Sequence, residues 1–136
     1  YYCDFYRNYA FGSISEAAKT AYRVTYEATE AGFNAAQVGK TTSDIFYAMN
    51  DVLQKGGALG NTVGRLGHGL GMQLTEWPSN TQNDNTMLEP GVVLTLEPGM
   101  AFLPGKEMVH EENIVITENG PEWLSIRAAE ELPIIQ

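Results

Sequence analysis

Helical periodicity stops at Gly56-Gly57, and seven glycines follow between Gly56 and Gly71. A stretch that rich in glycine turns sharply or lets another group approach the backbone closely. It divides the chain into a helical first part and a second part of different character. Before it, Ala17, Ala21, Val24, Ala28 and Ala31 recur at the spacing of one helical face. Ser13 or Ser15 can cap this helix, Glu16 complements its dipole, and Gly32 is expected to end or weaken it. Thr42 or Ser43 can cap a second helix reaching Lys55, with Ile45, Met49, Val52 and Leu53 as its buried stripe. Beyond the glycines, residues 92–96 are apolar at nearly every position, the pattern of a strand buried on both faces. Residues 108–117 read as another strand, followed by the Asn119-Gly120 turn and a short strand at 122–126. Residues 1–11, rich in Tyr and Phe and bounded by Gly12-Ser13, read as an opening strand. The predicted class is α+β, with helices packed on an antiparallel sheet.

The 136 residues fit one globular domain, and 43% hydrophobic residues are enough to bury a core rather than remain disordered. No apolar run is long enough for a membrane span. A net charge of −9 gives no electrostatic footprint for phosphate backbones, which argues against nucleic acid as a partner. A single cysteine, Cys3, excludes an internal disulfide framework and favours a reducing compartment. The chain enters directly into an aromatic run, so it is expected to be a piece of something longer.

Four positions could carry chemistry. His68 is flanked by glycines in Gly67-His68-Gly69-Leu70-Gly71, where no neighbouring Cβ obstructs its ring; an ordinary loop histidine is the plainer alternative. Glu97 ends an apolar strand and shares a face with Thr95 and Val93. If that face is interior, its charge needs a cation or strong donors; otherwise Glu97 is the first solvated residue before Pro98-Gly99. Glu111 and Glu112 enter the next strand on opposite faces, so at most one joins a shared site. Asp4 sits between Cys3 and Phe5 in the aromatic run. Together these supply one imidazole and three carboxylates, a donor set for Mn, Co, Fe or Zn.

The segments Asp4-Phe5-Tyr6-Arg7, Gly67-His68-Gly69-Leu70-Gly71, Glu76-Trp77-Pro78, Leu96-Glu97-Pro98-Gly99 and Glu111-Glu112-Asn113 stand in an order that resembles one group. That group is the pita-bread (M24) metallopeptidase family, which includes Xaa-Pro aminopeptidase, prolidase, methionine aminopeptidase and creatinase. The resemblance covers the C-terminal part of the catalytic domain and runs over residues 1–136. It implies two divalent metal ions, with Asp4 and Glu111 as bridging ligands, His68 and Glu97 as the others, and Glu97 as proton acceptor. A further aspartate of the family would lie upstream of Tyr1. The resemblance also implies a peptide or small-molecule substrate, a homodimer for the full-length protein and a cytoplasmic location. Thr75, Glu76 and Trp77 fall in the substrate-binding segment, with Trp77 either a pocket wall or a core anchor. Thr75 stands where the peptidases carry a second histidine, and a hydroxyl cannot carry positive charge or shuttle a proton near neutral pH. That departure keeps three readings open: an Xaa-Pro hydrolase, a creatinase-like or dimethylsulfoniopropionate lyase-like enzyme acting on a small molecule, or a metal-free binding module.

Overall fold

The computed structural model describes residues 1–60 and 64–136. After β1 (Ala10–Phe11), helix α1 spans Glu16–Ala35 and helix α2 spans Thr42–Lys55. Ser15 caps α1 by accepting the Ala18 N–H. Thr41 and Asp44 form a reciprocal capping box on α2, so both helix starts lie within a residue or two of the expected positions. Gly32 does not end α1. It lies buried inside the helix, where an added Cβ would stand 2.8 Å from Met49 of α2. The glycine there is a packing requirement: it lets two helices approach closely, and α1 continues to Ala35.

The second part builds β2 (His68–Gly69), β3 (Glu76–Ser79), β4 (Val93–Leu96), β5 (Gly99–Leu103), β6 (Lys106–Val109), β7 (Glu112–Thr117), β8 (Gly120–Trp123) and β9 (Ile134–Ile135). An antiparallel sheet of five strands runs β3-β2-β4-β7-β8, while β5 and β6 form a separate hairpin. Helix α1 packs on α2 and on β4, β5 and β6. The core between helices and sheet holds Ala28, Ile45, Met49, Leu94, Leu96 and Ile114, all buried. The α+β class is as expected.

Three strand readings need correction. Residues 1–9 form no strand, so Asp4 is not on one; only Ala10 and Phe11 find a partner, the parallel β9. Aromatic richness favours a pleated, half-buried surface, but no neighbouring strand supplies one here, and Tyr2, Phe5, Tyr6 and Tyr9 stay exposed. Residues 108–117 are not continuous. The chain breaks at His110-Glu111, where the His110 N–H donates to Pro98 O at 3.1 Å, and leaves one sheet for the other. The last short strand starts at Gly120 and ends at Trp123, two to three residues earlier than expected. Strand β5 has no counterpart in the sequence reading. No helix among the described residues is long and apolar enough to cross a membrane.

Candidate metal centre

His68 opens β2 and is pressed onto β4. Gly67 holds φ at +134°, and a Cβ there would lie 2.1 Å from Thr95 O, so only glycine admits this approach. The His68 N–H donates to Thr95 Oγ1 at 3.0 Å. Its ring Nδ1 lies 2.9 Å from Gly69 O. A proton on Nδ1 satisfies that contact and leaves the Nε2 lone pair free to ligate.

Three carboxylates converge on Nε2. Asp4 Oδ2 and Glu111 Oε1 each lie 3.8 Å away, and Glu97 Oε2 lies 4.0 Å away. Asp4, His68 and Glu111 each offer a ligand atom within 4.8 Å of the others. These gaps are too long for hydrogen bonds. They are near the spacing of about 3–3.5 Å expected between ligands of one ion with bonds of about 2.0–2.2 Å.

Each ligand arrives from a different kind of position. Asp4 comes from the irregular N-terminal segment, Glu97 from just past the end of β4, and Glu111 from the break between β6 and β7. Glu111 is buried, and among the described residues neither carboxylate oxygen has a hydrogen-bond partner. Burial, reinforced by Glu97 and Asp4, pushes its pKa up to about 8. Burial also raises the Glu97 carboxyl above its ordinary range, with Asp4 adding to the effect and His68 and Arg65 opposing it. A buried carboxylate with two orphaned oxygens beside two other acids and an imidazole is what a divalent cation would complete. The donors, oxygens plus one imidazole nitrogen, fit a hard or borderline ion.

Glu112 points the other way, as strand alternation requires. It takes Arg7 Nη2 at 3.0 Å, Ser125 Oγ at 2.6 Å and the Ala128 N–H at 2.8 Å, a fully satisfied buried carboxylate. His110 also lies off the cluster, edge-on to Tyr22 and Tyr26 with ring centroids 4.4 and 6.0 Å away. Burial, with Arg127 and Arg7 nearby, lowers its pKa to about 4.

The substrate-segment residues are placed less centrally. Thr75 is exposed just before β3. Glu76 pairs in register with Gly69, but its carboxylate accepts the Gln73 N–H at 2.6 Å, toward the 71–73 loop. Trp77 is 75% exposed, so it is not a core anchor. Two supporting residues escaped the sequence reading. Asn113 accepts the Asp4 N–H at 3.0 Å and donates back to Asp4 O, and Thr95 accepts from His68. Their only signal was a polar side chain inside an apolar strand.

The model of metallopeptidase family M24 matches residues 1–118. The chain belongs to that family. As an M24 sequence it is 32% identical over 126 residues to an Xaa-Pro dipeptidase of Pyrococcus furiosus, covering 92% of this chain and 36% of the relative. A dipeptidase structure from Pyrococcus horikoshii superposes with TM-score 0.88 at 30% identity, over 96% of this chain and 36% of that one. An X-Pro aminopeptidase structure from Thermotoga maritima gives TM-score 0.85 at 27% identity, over 98% and 38%. The fold is thus a partial pita-bread fold, and the M24 chain spans a little over a third of these relatives.

Proposed function

We propose that this chain is the C-terminal portion of a pita-bread catalytic domain in a metal-dependent peptidase acting on Xaa-Pro substrates. The observation that carries the reading is the convergence on His68 Nε2 of three carboxylates at 3.8–4.0 Å, one of them buried without any hydrogen-bond partner. The substrate class comes from the relatives, whose names specify Xaa-Pro dipeptidase and X-Pro aminopeptidase.

In this reading Asp4, His68, Glu97 and Glu111 hold divalent ions, two if the rest of the protein supplies a further aspartate. Bound there, such ions supply Lewis acidity to an amide carbonyl and make water more acidic. Glu97, whose side chain is 26% exposed at the edge of the cluster, is the ligand to which the family resemblance gives the proton-handling role. It accepts a proton from the attacking water and returns it to the leaving amine. Glu111 and Asp4 act as fixed anionic walls. Glu97→Gln in the full-length protein is expected to retain the fold and lose roughly 10²–10⁴-fold in kcat; unchanged turnover of an Xaa-Pro dipeptide would remove Glu97 from this role.

Thr75 favours a second reading, a small-molecule enzyme of the same fold. A histidine there could stabilise developing negative charge, and a hydroxyl does so less well, by about a hundredfold in rate for one lost donor. Assays of the full-length, Mn²⁺-loaded protein on Xaa-Pro dipeptides, guanidino compounds and sulfonium compounds separate the two. Metal analysis separates both from a binding module, which would bind no divalent ion.

A further inference from the structure

Thr95 and Asn113 face each other across β4 and β7, and both are buried. Thr95 is the one polar residue of β4, and Asn113 stands beside the apolar run Ile114-Val115-Ile116 of β7. Neither side chain contacts the ligand atoms of the cluster in any hydrogen bond among the described residues. Instead, each holds the backbone of a residue that does contribute one. Thr95 Oγ1 accepts the His68 N–H at 3.0 Å. Asn113 uses both ends of its amide on Asp4, accepting the N–H at 3.0 Å and donating to the carbonyl.

The rung itself is pinned on either side. Asn80 Nδ2 donates to Thr95 O at 3.0 Å, and the Asn113 N–H donates to Ser125 Oγ at 3.2 Å. This matters most for Asp4, because residues 1–9 have no strand to fix them. A ligand on an irregular segment depends on such ties, here Asn113 on Asp4 itself, with the Tyr2 N–H to Gly71 O and Arg7 to Glu112 holding the segment on either side. The two ligands so held are the pair whose atoms stand 3.8 Å apart, Asp4 Oδ2 and His68 Nε2.

We propose that the Thr95–Asn113 rung is a positioning device that sets the separation of Asp4 and His68 for metal binding. The inference rests on the metal-centre reading above and adds two residues that touch no ion. Outer partners of metal ligands are typically worth 10–100-fold in affinity, because a misplaced ligand forfeits bond geometry rather than bond type.

The test is a Mn²⁺ titration of the full-length protein by calorimetry, with Co²⁺ visible absorption as a second readout of ligand geometry. Thr95→Val keeps the side-chain volume and removes the acceptor; Thr95→Ser keeps the acceptor and loses a methyl. Expected are a 10–100-fold loss of Mn²⁺ affinity in Thr95→Val and Asn113→Ala, an altered Co²⁺ band, and near-native affinity in Thr95→Ser. Thermal midpoints in chelator show which variants are folded at the titration temperature. Folded Thr95→Val with native Mn²⁺ affinity overturns the inference and leaves the metal centre standing. If Asn113→Ala does not fold, the Val and Ser variants at position 95 decide the matter. No Mn²⁺ or Co²⁺ binding by the unaltered full-length protein overturns the metal centre itself, and the positioning role with it.

Discussion

Glu111 has two buried oxygens without partners, and its pKa stands near 8 in the metal-free fold against an ordinary 4.5. Between those values the folded chain holds a proton that the unfolded chain has released, so stability falls as pH rises through that window. His110 acts in the opposite sense. Its pKa stands near 4 when folded against 6.5 when free, so it costs stability as pH drops below 6.5. Above pH 6.5 only the Glu111 effect remains of these two. We expect the thermal midpoint in chelator to fall between pH 6.5 and 8, Glu111→Gln to flatten that slope, and Mn²⁺ to reverse it. A midpoint independent of pH in that interval would remove the unpaired-carboxylate account of Glu111. Gly67 makes a second prediction at this scale. Its positive φ and the 2.1 Å approach to Thr95 O leave no room for a methyl group. Gly67→Ala should cost about 2–4 kcal/mol in denaturant unfolding, from backbone strain plus overpacking.

Among the elements, legibility followed how local the determinants were. Both helices could be read because caps and apolar periodicity lie within a few residues of each other: Ser15 with Ala18, Thr41 with Asp44, and Ile45, Met49 and Leu53 along one face. Strand β4 could be read because every residue of 92–96 but Thr95 is apolar. The irregular segment 1–9 could not, because aromatic composition says nothing about whether a partner strand exists. The break at His110-Glu111 coincides with the polar run His110-Glu111-Glu112-Asn113, which alone does not say that the apolar residues on its two sides serve different sheets. At the cluster, His68, Glu97, Glu111 and Asp4 were legible as residue types, whereas Thr95 and Asn113 act through tertiary hydrogen bonds that no spacing encodes. Segment 1–9 is anchored chiefly through Arg7, which reaches Glu112 at 3.0 Å, Glu111 O at 3.2 Å and Ile126 O at 2.5 Å. Arg7→Met should therefore loosen the segment without unfolding the sheet, because Glu112 keeps Ser125 and the Ala128 N–H. The expected outcome is a tenfold or greater rise in hydrogen exchange at the Asp4 amide, roughly 1.4 kcal/mol of lost protection. Unchanged exchange there would mean that Asn113 alone holds Asp4.

For the whole molecule, the outer surface carries more large apolar side chains than the core economy of a small domain explains. Phe11, Ile134 and Ile135 are exposed together on the β1–β9 pair. Ile126, 91% exposed, is held beside Arg7 by the bond from its guanidinium, close to the exposed Tyr6. Contiguous apolar area beyond a few hundred Å² on a monomer usually marks a covered surface. The relatives are longer than this chain, which spans 36% of the Pyrococcus furiosus dipeptidase. In the domain reading proposed above, their additional length covers these exposed side chains. The isolated 136 residues are accordingly expected to bind a hydrophobic dye such as ANS. Their sedimentation should show a mass that rises with concentration. Phe11→Ser with Ile126→Ser should reduce both, since neither residue is a ligand of the cluster. A monodisperse monomer that ignores the dye would show that the patch is already compatible with water, and the covering role assigned to the longer chain would fall.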